Sequence, residues 1–339
     1  MNTEQTVLIM VPNMENSESP AATKSPVRLE ASQVEMQIAV CIPTYKRPEG
    51  LRRLLAALVT QEPVPRCQIT IVVVDNEGSP QSKAICDEFV SKLKYPLRYC
   101  CELRRGLSHV RNKAVEVAAG FADALVFIDD DEVPSQGWLK HLLACQKAYG
   151  AEVVSGPVIP HFTSEVPQWI SAGRFCERPR YPTGTVLQEA RTGNVLIRME
   201  VFDRIGLFDN RFALTGGEDW DFFVRLHESG GLISWADEAI VDEWVPASRM
   251  TLKYVLQGAY RRANVNAFRT CQSQSPVKSL VYVFRGVVRG MKGFCLLLAS
   301  LARGKSEAVK ALQRMSSGAG LIAGASGRRY EQYRTVHSV

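Results

Sequence analysis

Between residues 36 and 158, short apolar runs alternate with segments of helical periodicity, and this pattern constrains the fold more than any other feature of the sequence. The apolar runs lie at residues 36–42, 69–74, 97–101, 124–128 and 152–158. Segments with helical spacing follow the first four runs, beginning at residues 48, 81, 108 and 137. Runs that are apolar throughout fit strands buried on both faces. The alternation therefore predicts an α/β fold with a mainly parallel central sheet flanked by helices.

Charge is unevenly distributed along the 339 residues, whose net charge is +6. From Pro246 onward there are 16 Lys and Arg residues but only two acidic ones, so the last 94 residues carry +14 and the first 245 carry −8. We therefore predict a disordered leader at 1–35, an acidic body at 36–245 and a basic helical region at 246–339. The apolar run at 7–11 is too short and wrongly flanked for a signal peptide. Nine cysteines without a C-x-x-C pair are typical of reduced thiols in the cytoplasm.

Polar residues follow the predicted strands, at the sheet edge where open α/β proteins bind ligands. Residues 44–47 follow the first strand, residues 75–76 the second, and four carboxylates at 129–132 the fourth. Neighbouring carboxylates repel one another, and a hard cation such as Mg²⁺ or Mn²⁺ would relieve that repulsion. Strand alternation would point Asp129 and Asp131 to one side and the residue between them to the other. A solvated acidic turn before the next helix is the alternative interpretation.

A second acidic motif lies about 90 residues later, where residues 216–221 read Gly-Gly-Glu-Asp-Trp-Asp. Its carboxylates either act on a substrate or only stabilise the first turn of a helix. The two glycines favour the first interpretation, because they permit close backbone approach or an unusual turn. There is no Gly-x-Gly-x-x-Gly and no Walker-type phosphate loop, so neither a dinucleotide-binding fold nor a P-loop is indicated.

Five motifs in order resemble those of glycosyltransferase family 2, a family of GT-A fold, and most of all its bacterial exopolysaccharide enzymes of the succinoglycan type. The motifs are residues 42–47, 74–76, 106–114, 129–131 and 216–221. The resemblance runs from Ile38 to Arg262, about two thirds of the chain. It implies a Rossmann-like nucleotide-binding half and an acceptor half, and the residues beyond it predict a C-terminal amphipathic helical tail. It further implies inverting transfer of a sugar from a nucleoside diphosphate sugar, with UDP-sugars favoured, to a saccharide that we expect to be lipid-linked, in the synthesis of an exopolysaccharide or cell-surface glycan.

The same resemblance implies roles for individual residues. It makes Asp219 the catalytic base and makes Asp131, with Asp129, the ligands of a Mg²⁺ or Mn²⁺ ion. The donor-binding residues it implies are Pro43, Thr44, Tyr45, Arg47, Asp75, Arg111, Asp129 and Asp130. Residues expected at the acceptor, or supporting it, are Glu218, Trp220 and Trp244. These roles suit the chemistry, since a leaving diphosphate needs a cation and an acceptor hydroxyl needs a base.

Residues 257–262 depart from the family pattern, and residues 160–188 leave two interpretations open. Many processive members of the family carry a Gln-x-x-Arg-Trp motif, which residues 257–262 do not match, so we expect a single transfer. Residues 160–188 are predicted to be a loop-rich insert, whose aromatic side chains either cover the acceptor or pack locally.

The basic region is amphipathic from Pro276 onward. On one continuous helix its cations would form a single stripe of Lys278, Arg285, Arg289, Lys292, Arg303, Lys310 and Arg314. The longest apolar run without charge, residues 293–302, has ten residues, against about 20 for a membrane span. We predict an interfacial helix on an anionic membrane, at the inner face of the cell membrane, with packing on the catalytic domain as the alternative. Nucleic acid is disfavoured as a partner, since aromatic residues are sparse among the cations.

Two other functional classes remain open. A nucleotidyltransferase would also combine an α/β sheet with Mg²⁺, but it normally needs a glycine- and lysine-rich phosphate loop near the first strand. A catalytically silent protein that binds sugar nucleotides, or a scaffold, would keep the fold without the chemistry. Intact Asp131 and Asp219 argue against a silent protein.

Overall fold

The computed structural model describes residues 8–10, 35–272, 276–300 and 304–334, which form two compact units. The first unit comprises residues 1–158, 179–208 and 222–243, and the second comprises residues 159–178, 209–221 and 244–339. The last segment of the second unit begins at residue 244, near the predicted boundary at residue 246, and the unit also takes in two internal segments. Apart from residues 8–10 and 35, the leader predicted at 1–35 lies outside the described residues, as does Arg303 of the predicted stripe.

Twelve strands occur in the described residues. In chain order they are β1 (Leu8–Met10), β2 (Met36–Thr44), β3 (Cys67–Asp75), β4 (Leu97–Cys101), β5 (Ala124–Ile128), β6 (Glu132–Pro134), β7 (Val153–Ser155), β8 (Val158–Phe162), β9 (Val186–Leu187), β10 (Asn194–Arg198), β11 (Ile233–Trp235) and β12 (Val241–Val245). Nine of them form the sheet of the first unit, in the order β1-β4-β3-β2-β5-β10-β7-β11-β9. A second sheet has the order β6-β12-β8.

The centre of the nine-stranded sheet is parallel. Strands β4, β3, β2 and β5 run in one direction, and β7 and β11 also pair in parallel. Strand β10 is antiparallel to both of its neighbours, and β1 and β9 are antiparallel edge strands. The predicted α/β class with a mainly parallel sheet is therefore confirmed.

Ten helices complete the described secondary structure, with short 3-10 turns between some of them. They are α1 (Pro48–Val59), α2 (Pro80–Val90), α3 (Leu107–Ala118), α4 (Trp138–Tyr149), α5 (Gln168–Gly173), α6 (Met199–Ile205), α7 (Glu218–Glu228), α8 (Leu252–Cys271), α9 (Pro276–Ala299) and α10 (Lys305–Ala325). Proline stands at the start of α1, α2 and α9, where its missing N–H costs no hydrogen bond.

Successive residues of the central strands are buried in two different cores, which explains why the strands are apolar throughout. In β2, Ile38, Val40 and Ile42 pack in the core that includes α1, α2 and α4. Ala39 and Cys41 pack in the opposite core, with α3, α6 and α7. Full burial of an aliphatic side chain contributes about 2 kcal/mol, so both faces stabilise the sheet.

One predicted strand was wrong. Residues 152–158 form two strands, β7 and β8, rather than one, because the chain turns at Gly156 and Pro157. A Cβ on Gly156 would lie 2.5 Å from the carbonyl oxygen of Ala239, so only glycine fits there. Proline next to it has no N–H to donate to a ladder.

The second unit contains α8, α9 and α10, which pack through glycines. A Cβ on Gly318 of α10 would lie 2.5 Å from the carbonyl oxygen of Gly286 in α9. A Cβ on Gly320 or Gly324 would lie 2.3 Å from backbone oxygens of α8. The basic tail is thus two helices packed on each other, and the prediction of one cationic stripe on a single helix was wrong.

None of the helices that the structure describes is sufficiently long and apolar to span a bilayer.

Candidate functional site

The parallel strands β2, β3 and β5 end side by side and place three of the predicted motifs together. Thr44 at the end of β2 is in register with Asp75 at the end of β3. Cys41 of β2 is in register with Phe127 of β5, so the three aspartates after β5 follow at the same edge. This edge belongs entirely to the first unit.

Asp130 is the centre of this strand end. Its side chain is only 6% exposed and accepts hydrogen bonds from Thr44 Oγ1 at 2.9 Å and from the Tyr45 backbone N–H at 3.3 Å. Arg47 Nη1 lies 3.0 Å from Asp130 Oδ1 and 2.9 Å from Asp131 Oδ2. The first and fourth motifs are therefore joined by one buried carboxylate.

The aspartates lie in a turn and not in a strand, since β5 ends at Ile128 and the N–H of Glu132 donates to the carbonyl of Asp129 at 3.1 Å. Strand alternation therefore does not apply to them. Asp130 and Asp131 both contact the guanidinium of Arg47. The prediction that alternation sets their directions was wrong, because the strand ends before them.

Burial and mutual repulsion change the acidity of these carboxyl groups. Burial raises the pKa of Asp130 to about 6, although Arg47 and the Thr44 hydroxyl act to lower it. Burial also raises the pKa of Asp129, against the attraction of Arg111 and with repulsion from Asp131. The arginines thus neutralise only part of the negative charge gathered here.

The carboxylate oxygens at this edge are suitable ligands for a hard divalent cation. The Asp129 and Asp131 side chains are 36% and 15% exposed, whereas Asp130 is covered by its partners. No group of three or more His, Cys, Asp and Glu side chains in the described part of the chain could hold a metal ion. A cation here would take its remaining ligands from substrate oxygens and water, as Mg²⁺ and Mn²⁺ commonly do.

Gly50 and Glu132 support the aspartate turn; sequence reasoning placed Glu132 among the four carboxylates at 129–132 but did not single out Gly50. A Cβ on Gly50, in the first turn of α1, would lie 2.3 Å from the carbonyl oxygen of Asp130. The buried Glu132 carboxylate accepts from the Asp129 N–H at 2.9 Å, and a Cβ on Gly193 would lie 2.5 Å from Glu132 Oε1. A glycine inside a predicted helix was the available signal for Gly50.

Arg111 reaches the strand end from α3. It is 3% exposed, and its Nη2 lies 3.4 Å from Asp129 Oδ1. The helix begins after Gly106, whose φ of 131° suits glycine and whose N–H donates to Asn76 Oδ1 at 3.0 Å. Asn76 Nδ2 also donates to the carbonyl of Arg104 at 2.9 Å. The second motif therefore holds the loop that starts the third, a role that sequence reasoning missed.

Asp75 lies at the end of β3, but its side chain is directed into the protein. It is fully buried, and its carboxylate accepts from the Glu77 and Ser79 N–H groups at 2.8 and 2.9 Å. Tyr99 donates its hydroxyl to the same carboxylate at 2.8 Å. In this structure Asp75 stabilises the loop after β3, and contact with a nucleotide base stays a prediction.

Pro43 and Tyr45 complete the predicted donor residues. Pro43 is buried at the end of β2, whereas Tyr45 is half-buried. The Tyr45 ring has Lys46 Nζ 5.5 Å and the Arg105 guanidinium 5.7 Å from its centre. Lys46 adopts φ 55°, an uncommon left-handed conformation for a long side chain. An aromatic ring with two cations close to it suits a stacked, negatively charged ligand.

The motif at residues 216–221 lies in the second unit, where Gly216 and Gly217 form the unusual turn that the sequence predicts. Their φ angles are 70° and 90°. A Cβ on Gly216 would lie 2.9 Å from Arg261 Nη1, and one on Gly217 would lie 2.6 Å from Val265. The glycines allow the chain to approach α8 closely before α7 begins.

The acidic residues of this motif differ in their surroundings. Glu218 is 1% exposed, and Asp219 is half-buried, with Oδ1 accepting the Trp220 N–H at 2.7 Å. Asp221 is 4% exposed and pairs with Arg269 Nε at 2.8 Å. Asp219 is therefore the more accessible carboxylate, and Asp221 ties the start of α7 to α8.

Arg261 adds a positive charge close to Asp219. Burial acts to lower the pKa of this guanidinium, but Tyr333 and Asp219 outweigh that effect and the pKa is raised. Arg261 Nη1 also donates to the Tyr333 hydroxyl at 3.4 Å. Arg261 is only partly exposed, so it does not belong to a fully exposed basic face of α8.

The aromatic residues that the sequence analysis considered for the acceptor have aromatic or cationic neighbours. Trp244 stacks on His161 with ring centres 5.5 Å apart, and Trp220 lies 5.6 Å from the Arg269 guanidinium. Of the insert at 160–188, Trp169 packs on Phe175 at 5.6 Å. The insert also contains α5 and β9, so it is more regular than the sequence predicted.

The sequence is similar to known protein families and to individual known proteins. Residues 39–206 match the family described as Glycosyl transferase family 2, and residues 175–242 match one described as N-terminal domain of galactosyltransferase. The chain is 31% identical over 314 residues to the succinoglycan biosynthesis protein ExoM of Rhizobium meliloti strain 1021, covering 88% of this chain and 96% of that protein.

Two solved structures share the fold. The mannosyltransferase PcManGT of Pyrobaculum calidifontis, solved with GDP-Man and Mn²⁺, has a TM-score of 0.58 at 15% identity, covering 91% of this chain and 90% of that one. S. aureus TarS 1–349, solved with UDP-GlcNAc, has a TM-score of 0.50 at 17% identity, covering 87% and 93%. These likenesses identify the architecture as that of GT-A glycosyltransferases.

Proposed function

The chain belongs to glycosyltransferase family 2, and we propose that it transfers a single sugar from a UDP-sugar to a lipid-linked saccharide, with inversion at the anomeric carbon. The product would be an intermediate of an exopolysaccharide or another cell-surface glycan. The similarity to a succinoglycan biosynthesis protein over nearly the whole of both chains supports that setting.

The observation that carries the proposal is the convergence of three motifs on one turn, that of Asp129, Asp130 and Asp131. Thr44 and Arg47 from the first motif hold Asp130, and Arg111 from the third reaches Asp129. This arrangement presents two arginines and two partly exposed carboxylates at a strand end, where α/β folds bind nucleotides. A nucleoside diphosphate needs such a mixture, since its phosphates are anionic and a metal ion beside them needs carboxylate ligands.

In this proposal Asp131 and Asp129 would hold a Mg²⁺ or Mn²⁺ ion, which would supply positive charge to the leaving diphosphate. Asp130 is not a ligand, because Thr44, Tyr45 and Arg47 already use its oxygens. Arg111 holds Asp129 in place and lies where the donor phosphates are expected.

Asp219 is the proposed base. The acceptor hydroxyl oxygen attacks the anomeric carbon, the bond from that carbon to the diphosphate oxygen breaks, and the hydroxyl proton passes to the Asp219 carboxylate. UDP carries the bonding electrons away. Glu218 is too deeply buried to exchange a proton with an acceptor, so it is assigned to support of the turn.

A single transfer is proposed because α8 carries Gln-Gly-Ala-Tyr-Arg-Arg at residues 257–262 in place of the processive motif. We further propose that the enzyme works at the inner face of the cell membrane, bound peripherally. The apolar and cationic faces of α9 support this location. The nine cysteines of the chain are free thiols, which is typical of the cytoplasm.

The decisive test compares Asp219→Asn with Glu228→Gln, an exposed carboxylate on the same helix. We expect Asp219→Asn to lower the turnover number at least about 1,000-fold, while calorimetry shows donor affinity within about twofold of wild type. Glu228→Gln should match wild type in both measurements. Loss of donor binding in Asp219→Asn would overturn its role as the base.

A second experiment tests the donor. The purified chain is titrated with UDP, GDP and dTDP and their sugars, with Mn²⁺ and with a chelator. Mn²⁺-dependent binding of a UDP-sugar supports the proposal. Preference for GDP would show that the nucleotide of the donor is GDP rather than UDP. Failure of folded protein to bind any of them would favour a catalytically silent scaffold.

A further inference from the structure

The second unit contains a cavity of about 410 Å³ between its three long helices, and no step of the proposed reaction uses it. We call it the cationic groove. Its lining residues are Ala259, Arg262, Ala263, Asn266, Arg289, Lys310, Gln313, Arg314, Ser317 and Leu321. Among these described lining residues none is acidic, and four are cationic.

Helical periodicity brings these residues together. Helix α8 contributes residues 259, 262, 263 and 266, and α10 contributes residues 310, 313, 314 and 317. Each set has the spacing of one helix face. The floor is made of small buried residues such as Ala259, Ala263 and Ser317, while Arg262, Arg289 and Arg314 stand exposed around it. Small residues below and long cations above form a pocket for a compact anion.

The groove cation Lys310 has an acidic partner on its own helix, whereas the described lining residues contribute four cations and no carboxylate. Lys310 pairs with Glu307, one turn earlier on α10, at 2.7 Å. Helix α9 has four cations and neither Asp nor Glu in its 24 residues. Like charges gathered around a cavity repel one another, so binding of an anion would be favourable there.

A second cavity of about 450 Å³ adjoins the groove and shares Asn266, Arg289 and Leu321 with it. Its other lining residues are Tyr282, Phe284, Arg285, Val288 and Lys292. It is therefore cationic on one side and apolar on the other. It continues onto the outer face of α9, where Leu280, Phe284 and Met291 are 64–70% exposed.

We infer that the cationic groove binds the diphosphate headgroup of a lipid, with its hydrocarbon chain lying along the apolar side of α9. The inference rests on the proposed function in one respect, since it assigns the groove to the lipid part of the acceptor. The chemistry is that of charge-assisted hydrogen bonds from Arg262, Arg289 and Arg314 to phosphate oxygens, next to an apolar surface for the chain.

The test uses the full-length protein and vesicles of phosphatidylcholine that carry a few mole per cent of a polyprenyl diphosphate. Vesicles of equal surface charge, made with phosphatidylglycerol, measure general attraction to an anionic membrane. The groove variant is Arg289→Gln with Arg314→Gln. The matched control is Lys253→Gln with Lys278→Gln, which removes two exposed charges of the same unit outside the groove.

We expect wild type to bind the diphosphate vesicles at least about tenfold more tightly than the phosphatidylglycerol vesicles, and the groove variant to lose most of that preference. The control should retain it. Equal losses in the two variants would overturn the site, since they would reflect charge alone. Soluble inorganic diphosphate should compete only weakly, and competition as strong as that of the lipid would overturn the role of the apolar surface.

Donor titration separates this inference from the proposed function. The groove variant should bind the UDP-sugar as wild type does, because its residues lie outside the donor site. Loss of lipid preference with normal donor binding supports the groove assignment, whereas normal lipid preference without donor binding would overturn the donor proposal alone.

Discussion

The strand end of the first unit and the cationic groove of the second both gather arginine side chains, but they balance the charge differently. At the strand end, Arg47 and Arg111 face three aspartates at 2.9–3.4 Å, so the protein itself neutralises part of the charge gathered there. In the groove, four cations surround a cavity to which the described lining residues contribute no carboxylate. We propose that the strand end holds both a cation and an anion, whereas the groove holds an anion.

Among changes to these two regions, the largest effect is expected where the strand end would bind its cation. Asp131→Asn removes a proposed metal ligand, and we expect the turnover number to fall by about 100-fold or more, with loss of the Mn²⁺ dependence of donor binding. Steady-state kinetics and calorimetry measure both. Glu49→Gln, an exposed carboxylate in the first turn of α1, is the control and should change neither. Unchanged Mn²⁺ dependence in Asp131→Asn would remove this residue from the metal site.

Arg47→Gln should break the charge balance of the strand end. It leaves Asp130 buried beside Asp131 without the guanidinium that both contact, so we expect about 2–4 kcal/mol of lost stability at pH 7.5. Urea unfolding measures this loss. The loss should shrink at pH 5, where Asp130 takes up a proton. A loss that does not change with pH would show that packing, not charge, is the contribution of Arg47.

The raised pKa of Asp130, about 6 against an ordinary 3.8, gives a signed prediction. The folded state binds this proton more tightly than the unfolded state, so the stability it contributes is present below pH 4 and lost as pH rises through 6. Asp130→Asn does not titrate. Relative to wild type it should therefore gain about 1–3 kcal/mol between pH 4 and pH 7.5. A difference between the two proteins that stays constant with pH would contradict the raised pKa.

The smallest expected effect is a gain in stability, opposite in sign to the loss expected for Arg47→Gln. Arg314→Gln takes one charge from the groove, where like charges repel, and should raise stability by a few tenths of a kcal/mol at low salt. The gain should vanish at high salt, because salt screens exposed charges. Unfolding midpoints at two salt concentrations measure it. A loss of stability would show that Arg314 has a structural role, and would weaken the comparison.

Much of the first unit could be predicted from the sequence. The strands at 97–101 and 124–128 have the predicted bounds, and the helices after the first four strands begin within one residue of prediction. The reason is that residues buried on both faces of a parallel sheet leave uninterrupted apolar runs, and the polar residues after them mark the ligand edge. The family motifs then indicated which strand-end residues to inspect.

The contacts made by small or buried polar residues could not be predicted in this way. Nothing in the local sequence shows that Gly50 meets the carbonyl of Asp130, or that Asn76 holds the loop before α3. The folding of the tail back on itself through Gly286 and Gly318 was also missed, because periodicity describes one helix at a time.

The sequence by itself therefore determined the order of strands and helices, the edge at which ligands bind and the charge of each region, since these follow from local pattern and composition. Only the tertiary structure decided which carboxylate Arg47 and Thr44 hold, how acidic that carboxylate is, and that three helices enclose a cationic groove. Burial, close packing and pairing of charge depend on residues that are distant in the chain, and those distances are fixed only when the chain folds.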